Sequence, residues 1–163
     1  MIDYFRKIIT SQFEASLCML NDCIEKCPAE HWDGKIASYA FWHVAYHTLC
    51  FVDYYLSANE EAFKPREIHP KGMDELNEEF PSRRFEKDEL IGYLAICRRK
   101  MIETVAGETA EMLERESGFS RLRFSRGELH LYNLRHVQHH TGQLSAYLRR
   151  VGVEAKWVGT GWK

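Results

Sequence analysis

Apolar residues recur at gaps of three and four along most of this chain, and no segment sustains the two-residue alternation of a half-buried strand. Ile2, Phe5, Ile9, Phe13, Leu17, Leu20 and Ile24 mark one face of a first helix over residues 2–27, which Pro28 stops by removing a backbone donor. A second run starts near Ser38, a residue type suited to cap a helix N-terminus, and continues to about Ser57. Phe41, Trp42, Val44, Leu49, Phe51, Val52, Tyr55 and Leu56 spread around its circumference, so it is expected to be covered on most sides. A third helix is expected from Phe85 to about Glu116, with Glu86, Asp88 and Glu89 in its first turn, where the macrodipole favours acids, and Gly118 beyond its end. The fourth opens on Ser125-Arg126-Gly127-Glu128, a capping-box pattern, and runs to Val151 before Gly152.

Connection lengths constrain the topology. The links between helices one and two, and between three and four, are short, which makes each pair antiparallel. The middle link, residues 59–84, is polar and carries Pro65, Pro70, Gly72 and Pro81, with one short helical turn expected around Asp74–Glu79. It is long enough to return along the length of a bundle. The expected architecture is all-α: a four-helix bundle, up-down-down-up, with a long crossover between helices two and three. At 163 residues the chain suits one domain, 1–163, with a substantial core.

Composition narrows the function. A formal net charge of -2 gives no bulk attraction to nucleic acid or to anionic lipid. The basic clusters at Arg83-Arg84, at Arg98-Arg99-Lys100 and at Arg121, Arg123 and Arg126 read as solvated faces. The opening stretch is charged every few residues, unlike a signal peptide, and no stretch reads as a membrane span. Five cysteines, Cys18, Cys23, Cys27, Cys50 and Cys97, all fall in helical segments and form no C-x-x-C. They read as small buried hydrophobes in a reducing cytoplasm.

The histidines are the chemically informative residues. His31 and His69 fall in loops and are expected to face solvent, whereas His43 and His47 lie in the second helix and His130, His136, His139 and His140 in the fourth. His136 and His140 are four apart, a spacing that stacks two side chains on one helix face with Cβ atoms about 5–6 Å apart. Two imidazoles so placed can reach one ion, which takes nitrogen at about 2.0–2.1 Å. Leu129 and Tyr147 share their stripe, so the pair faces inward. Burying several imidazoles without partners is costly, and a shared ion satisfies them together. Neither E-x-x-H nor H-E-x-x-H occurs, which excludes the ferritin-type di-iron and zincin arrangements. A set of neutral imidazoles suits Zn, Ni, Fe or Co, and spacing does not choose among them. Periodicity does not separate His43 from His47, because the second helix is apolar all round.

The stretch His136-Val137-Gln138-His139-His140-Thr141-Gly142-Gln143-Leu144 resembles the H-x-x-x-H-R-G-Q-L signature that closes the last helix of the DinB-like superfamily, which includes metal-dependent hydrolases and bacillithiol-transferase-like proteins. The segment SYAFWHVAYHTLCFVDYYL resembles the same family's second helix. The resemblance implies an up-down-down-up bundle holding a divalent metal on one His of helix two and both His of H-x-x-x-H; carried over, the ligands are His47, His136 and His140. Val137 stands where the family often has an acid, and Thr141 where it often has a base, but neither change removes a ligand. His43 then reads as a fourth ligand, a proton shuttle or a core residue.

Three protein ligands leave a coordination position open, the mark of a catalytic site. Such an ion can polarise a carbonyl, lower the pKa of bound water or hold a thiolate. The expected function is therefore a metal-dependent hydrolase or low-molecular-weight thiol S-transferase acting on a small molecule, with that thiol as co-substrate in the second case. The alternative is a non-catalytic metal-binding or stress-associated bundle. No general base is identified; Tyr46, Asp53, Tyr54 and Tyr132 qualify only as polar groups on the His-bearing helices. Gly142 is expected to admit a close neighbour, and Gln143 to orient a ligand imidazole. Metal should be lost below about pH 6, where ordinary histidine takes up a proton. The tail, with Trp157 and Trp162, either folds back over the bundle or meets a second subunit in a homodimer.

Overall fold

The computed structural model describes residues 1–69, 71 and 83–163. The chain is mostly helical: α1 (Ile2–Lys26), a 3-10 turn (Ala29–His31), β1 (Lys35–Ile36), β2 (Tyr39–Ala40), α2 (Phe41–Tyr55), α3 (Lys87–Gly107), α4 (Ala110–Glu114) and α5 (Arg126–Arg150). The helical turn expected around Asp74–Glu79 falls outside the described residues.

Two boundaries differ from the sequence expectation. Ser38 does not cap the second helix. It lies in the turn of a two-residue antiparallel hairpin, Lys35 opposite Ala40 and Ile36 opposite Tyr39, with Ala37 at φ 52°. The helix begins instead at Phe41, on Ala40, without a side-chain cap. The third helix does not reach Glu116. It stops at Gly107 because Glu108 turns extended, φ -65° and ψ 134°, and buries its carboxylate against Arg126 and His130. Thr109 then caps the short α4 by accepting from the Met112 amide. The start of α3 is secured by a reciprocal pair, Glu86 accepting from the backbone of Glu89 and Glu89 from that of Glu86.

The inward stripes meet in one large apolar cluster that includes Phe13, Leu17, Leu20, Ile24, Phe41, Leu49, Val52, Leu90, Leu94, Met101, Val137, Leu144 and Leu148. Side-chain contacts fix the direction of each touching pair. Arg6 donates to the Glu108 carbonyl just past α3, and Lys87 at the start of α3 donates to Glu25 and Cys27, so α1 and α3 are antiparallel. Tyr46 stacks on Phe85 and Thr104 reaches the Leu56 carbonyl, so α2 and α3 run the same way. Phe41 meets Tyr147 while Asn133 reaches Val52, so α2 and α5 are antiparallel. Phe5 lies against His130 while Lys26 reaches the Glu154 carbonyl, so α1 and α5 run the same way.

The tail folds back along α1. The Lys156 amide donates to Asp22 Oδ2 at 2.8 Å, the Gly161 amide to the Ser11 carbonyl at 2.9 Å, and Val158 packs with Ala15, Cys18 and Met19. Trp162 lies under the Arg98 guanidinium. No helix among the described residues is long and apolar enough to cross a membrane.

Candidate metal centre

The antiparallel contact between α2 and α5 brings three imidazoles together. His47 comes from α2, and His136 and His140 from successive turns of α5. Ring centroids are 5.4 Å apart for His47–His136, 4.9 Å for His47–His140 and 4.5 Å for His136–His140. One nitrogen from each ring lies within 4.8 Å of the others. All three side chains are half-buried.

Protonation favours ligation. Burial, with the neighbouring charges of His140 and His43, lowers the His47 pKa to about 4. Burial, with His140, His47 and His139, lowers that of His136 to about 3. Burial also lowers that of His140, against the opposing hydrogen bond to Gln143. All three are therefore neutral at pH 7 and carry a lone pair each.

The donor set fits a divalent ion. His47 Nε2 and His136 Nε2 are 3.4 Å apart, and ligand nitrogens around a tetrahedral ion at ordinary bond length lie about 3.3 Å apart. His136 Nδ1 is buried without a hydrogen-bond partner, and its Nε2 meets only the His47 ring. None of the three rings bonds a backbone carbonyl among the described residues.

Gln143 lies where the sequence placed it. Its Oε1 is 2.8 Å from His140 Nδ1, which must therefore carry the hydrogen, leaving Nε2 as the lone-pair atom. Gln143 Nε2 in turn faces His139 Nε2 at 3.4 Å. Such outer partners are worth about 10–100-fold in metal affinity. Gln143→Leu is expected to weaken metal binding by that factor and Gln143→Glu to preserve it, measured by competition with a chromophoric chelator.

The remaining histidines fall elsewhere. His43 is buried one turn before His47, its ring against Tyr39 at 5.1 Å and Trp42 at 5.5 Å, outside the three-ring group. His130 is buried on Glu108. His31 is half-buried beside the Tyr147 hydroxyl. His69, expected in solvent, is buried: its Nδ1 accepts from the Arg66 amide at 2.8 Å and its Nε2 bonds the Tyr93 hydroxyl at 2.9 Å.

The polar candidates for a general base are likewise engaged. Asp53 is fully buried and accepts from Arg66 at 2.6 Å, Lys100 at 2.6 Å and Tyr93 at 3.1 Å. Burial alone would raise its pKa, but the hydrogen bonds from Arg66 and Lys100 outweigh it and the carboxyl stays below its ordinary value. The Tyr46 hydroxyl donates to the Ile68 carbonyl. Burial and a hydrogen bond to Glu60 raise Tyr54 to about 12. Tyr132 hydrogen-bonds Tyr55.

Phe51 was legible in the sequence only as one more apolar residue. Four residues after His47, its ring lies 4.8 Å from His47 and 5.5 Å from His136. Among the described residues, no helix of the chain itself makes the close approach expected at Gly142, because a Cβ there would meet nothing within 4 Å. Gly142→Ala is accordingly expected to add up to about 1 kcal/mol of stability by helix propensity and to leave metal content unchanged, read by urea denaturation and metal analysis.

The comparisons with known proteins agree with this frame. Among solved structures, a DinB-like protein of Bacillus subtilis, YjoA, matches with a TM-score of 0.64 and 19% identity, covering 91% of this chain and 95% of that one; the likeness is one of fold. No curated protein matches. A family model described as DinB superfamily matches residues 12–144, which span α2, α3 and both histidines of H-x-x-x-H. The chain therefore belongs to the DinB superfamily.

Proposed function

We propose that this protein is a metal-dependent enzyme, a hydrolase or a low-molecular-weight thiol S-transferase, holding one divalent transition ion on His47, His136 and His140. The observation that carries the reading is the convergence of three neutral, half-buried imidazoles from two helices. When bound, the ion would supply Lewis acidity toward a carbonyl, an acidified water or a thiolate. The chain's own part is to hold three nitrogens on one side and leave the other side to a small-molecule substrate. His140 is oriented by Gln143, and Phe51 closes one flank of the site.

A transferred thiol must come from outside the chain. All five cysteines are buried and free, and burial raises Cys23 to about 12, Cys27 to about 11 and Cys97 well above its ordinary value. The wider frame of the proposal is one domain, 1–163, whose long helices α1, α2, α3 and α5 form an up-down-down-up bundle, as the four pair directions support. A cytoplasmic homodimer without nucleic-acid or membrane partners completes it. The engagement of Asp53, Tyr46 and Tyr132 elsewhere favours a second reading, in which the ion chiefly ties α2 to α5 and no chemistry follows.

Metal content tests the first step. Protein supplemented with Zn, Ni or Fe should hold about one equivalent after dialysis, and less than about a tenth would overturn the proposal. Turnover of esters, amides or thiol-plus-electrophile pairs then separates the enzyme from the non-catalytic bundle. Acidification gives an independent check. Because burial lowers the pKa of all three ligands, the ion should persist below the pH at which ordinary histidine would release it, and leave as the first of the three takes up a proton. The metal-free chain behaves oppositely to a protein stabilised by charged histidine. Its unfolded histidines take protons first, near 6.5, so its stability is complete above that value and is lost as pH falls toward 4 and 3.

A further inference from the structure

Five half-exposed side chains, Phe51, Tyr54, Leu122, Phe124 and Tyr132, pack against buried Tyr55, Phe119 and Leu129. The group adjoins the three imidazoles directly. Phe51 touches two of the rings, and the Tyr55 ring lies 6.5 Å from His136. From Phe51 the rings continue through Tyr55 at 5.4 Å and Tyr132 at 5.5 Å to Phe124 at 5.6 Å. The polar ends of this shelf are occupied internally: Tyr55 bonds Tyr132, and Tyr54 bonds Glu60. What it offers a ligand is therefore ring surface rather than hydroxyls.

We infer that this aromatic shelf receives a flat apolar group of the substrate, an aryl ring or its equivalent, carried beside the donor atom that reaches the ion. The inference rests on the metal reading above. Its argument is continuity. Phe51 lies against two of the three imidazoles, so a small molecule bound beside them meets that ring, and a group it extends toward Tyr132 continues along the same ring surface. Stacked or edge-on aromatic contact, together with the apolar area covered, is worth about a tenfold gain in affinity.

The test uses the zinc-loaded full chain and two ligands with the same metal-binding head, benzohydroxamate and acetohydroxamate, titrated calorimetrically. Benzohydroxamate is expected to bind about tenfold tighter or better. Phe51→Ala should reduce that preference severalfold while leaving both acetohydroxamate affinity and zinc content unchanged. Phe51→Leu, which keeps the bulk but not the ring, provides a second variant should Phe51→Ala fail to fold. Equal affinity for the two ligands, with zinc bound, overturns the shelf and leaves the metal centre standing. Failure of both to bind zinc-loaded protein removes the open position and the shelf together. Absence of zinc from the wild-type chain overturns the metal reading and this inference with it.

Discussion

His140→Ala should empty the metal centre while leaving the helices in place. The ion would be held by three nitrogens, and removing His140 leaves two donors facing each other across 3.4 Å with no third. Loss of an outer partner already costs about 10–100-fold, so loss of a direct ligand is expected to exceed a hundredfold and bring occupancy from about one equivalent to below a tenth. The fold does not depend on this side chain. His140 is half-buried, its hydrogen bond is to Gln143 three residues away, and the packing of α5 rests on Leu129, Val137, Leu144 and Leu148. Far-ultraviolet circular dichroism should thus be unchanged. The metal-free variant should be no less stable than metal-free wild type, because one desolvated imidazole has been removed. Wild-type occupancy in the variant would refute the ligand assignment. A collapse of helix content would show instead that the three rings serve the core.

What was legible in the sequence was local. The reading of the first helix as 2–27 and of the fourth from Ser125 to Val151 agrees within a residue with α1 and α5, because periodicity and caps are written in neighbouring residues; Ser125 does accept from the Glu128 amide. The misplaced features all depend on distant partners. Glu108 breaks the third helix because Arg126 and His130 come to it from α5. His69 is buried because Tyr93 and Arg66 receive it. Ser38 reads as a cap in the sequence because a two-residue hairpin is too short to show alternation. His43 and His47 were inseparable by periodicity on a helix buried nearly all round, and the family motif chose between them. The structure brings His47 to the α5 pair and sets His43 against Tyr39 and Trp42. Phe51 and the shelf behind it had no signal beyond apolarity, since their meaning lies in what they adjoin.

Glu108→Ala is the substitution expected to damage the fold most. The Glu108 residue is 0% exposed, and its Oε1 accepts from Arg126 Nε at 2.9 Å and from His130 Nε2 at 2.9 Å. A carboxylate can only accept, so His130 Nε2 carries the hydrogen. Burial pushes the carboxyl upward, but the His130 hydrogen bond and the Arg126 charge outweigh it, and Glu108 remains ionised at neutral pH. Arg126 also donates to the Tyr55 and Ser57 carbonyls, so this one guanidinium joins the ends of α2 and α3 to the start of α5. Removing the carboxylate leaves that cation buried, its side chain 7% exposed, with neutral acceptors only. Breaking a buried pair on one side costs about 3–5 kcal/mol, and at about 2–4 °C per kcal/mol for a chain of this size the midpoint of thermal unfolding should fall by about 10 °C. Glu108→Gln, which keeps an acceptor, should lose less. Replacing all three partners with apolar residues (Glu108→Leu, Arg126→Met, His130→Phe) should recover most of the loss, because the desolvation cost of the ions disappears with them. A Glu108→Ala variant within about 1 kcal/mol of wild type would mean that Arg126 finds water in the folded chain and that the cluster does not hold the helix ends together. The metal centre lies on other turns of α2 and α5, so zinc content measured on the folded fraction of each variant should stay at the wild-type level.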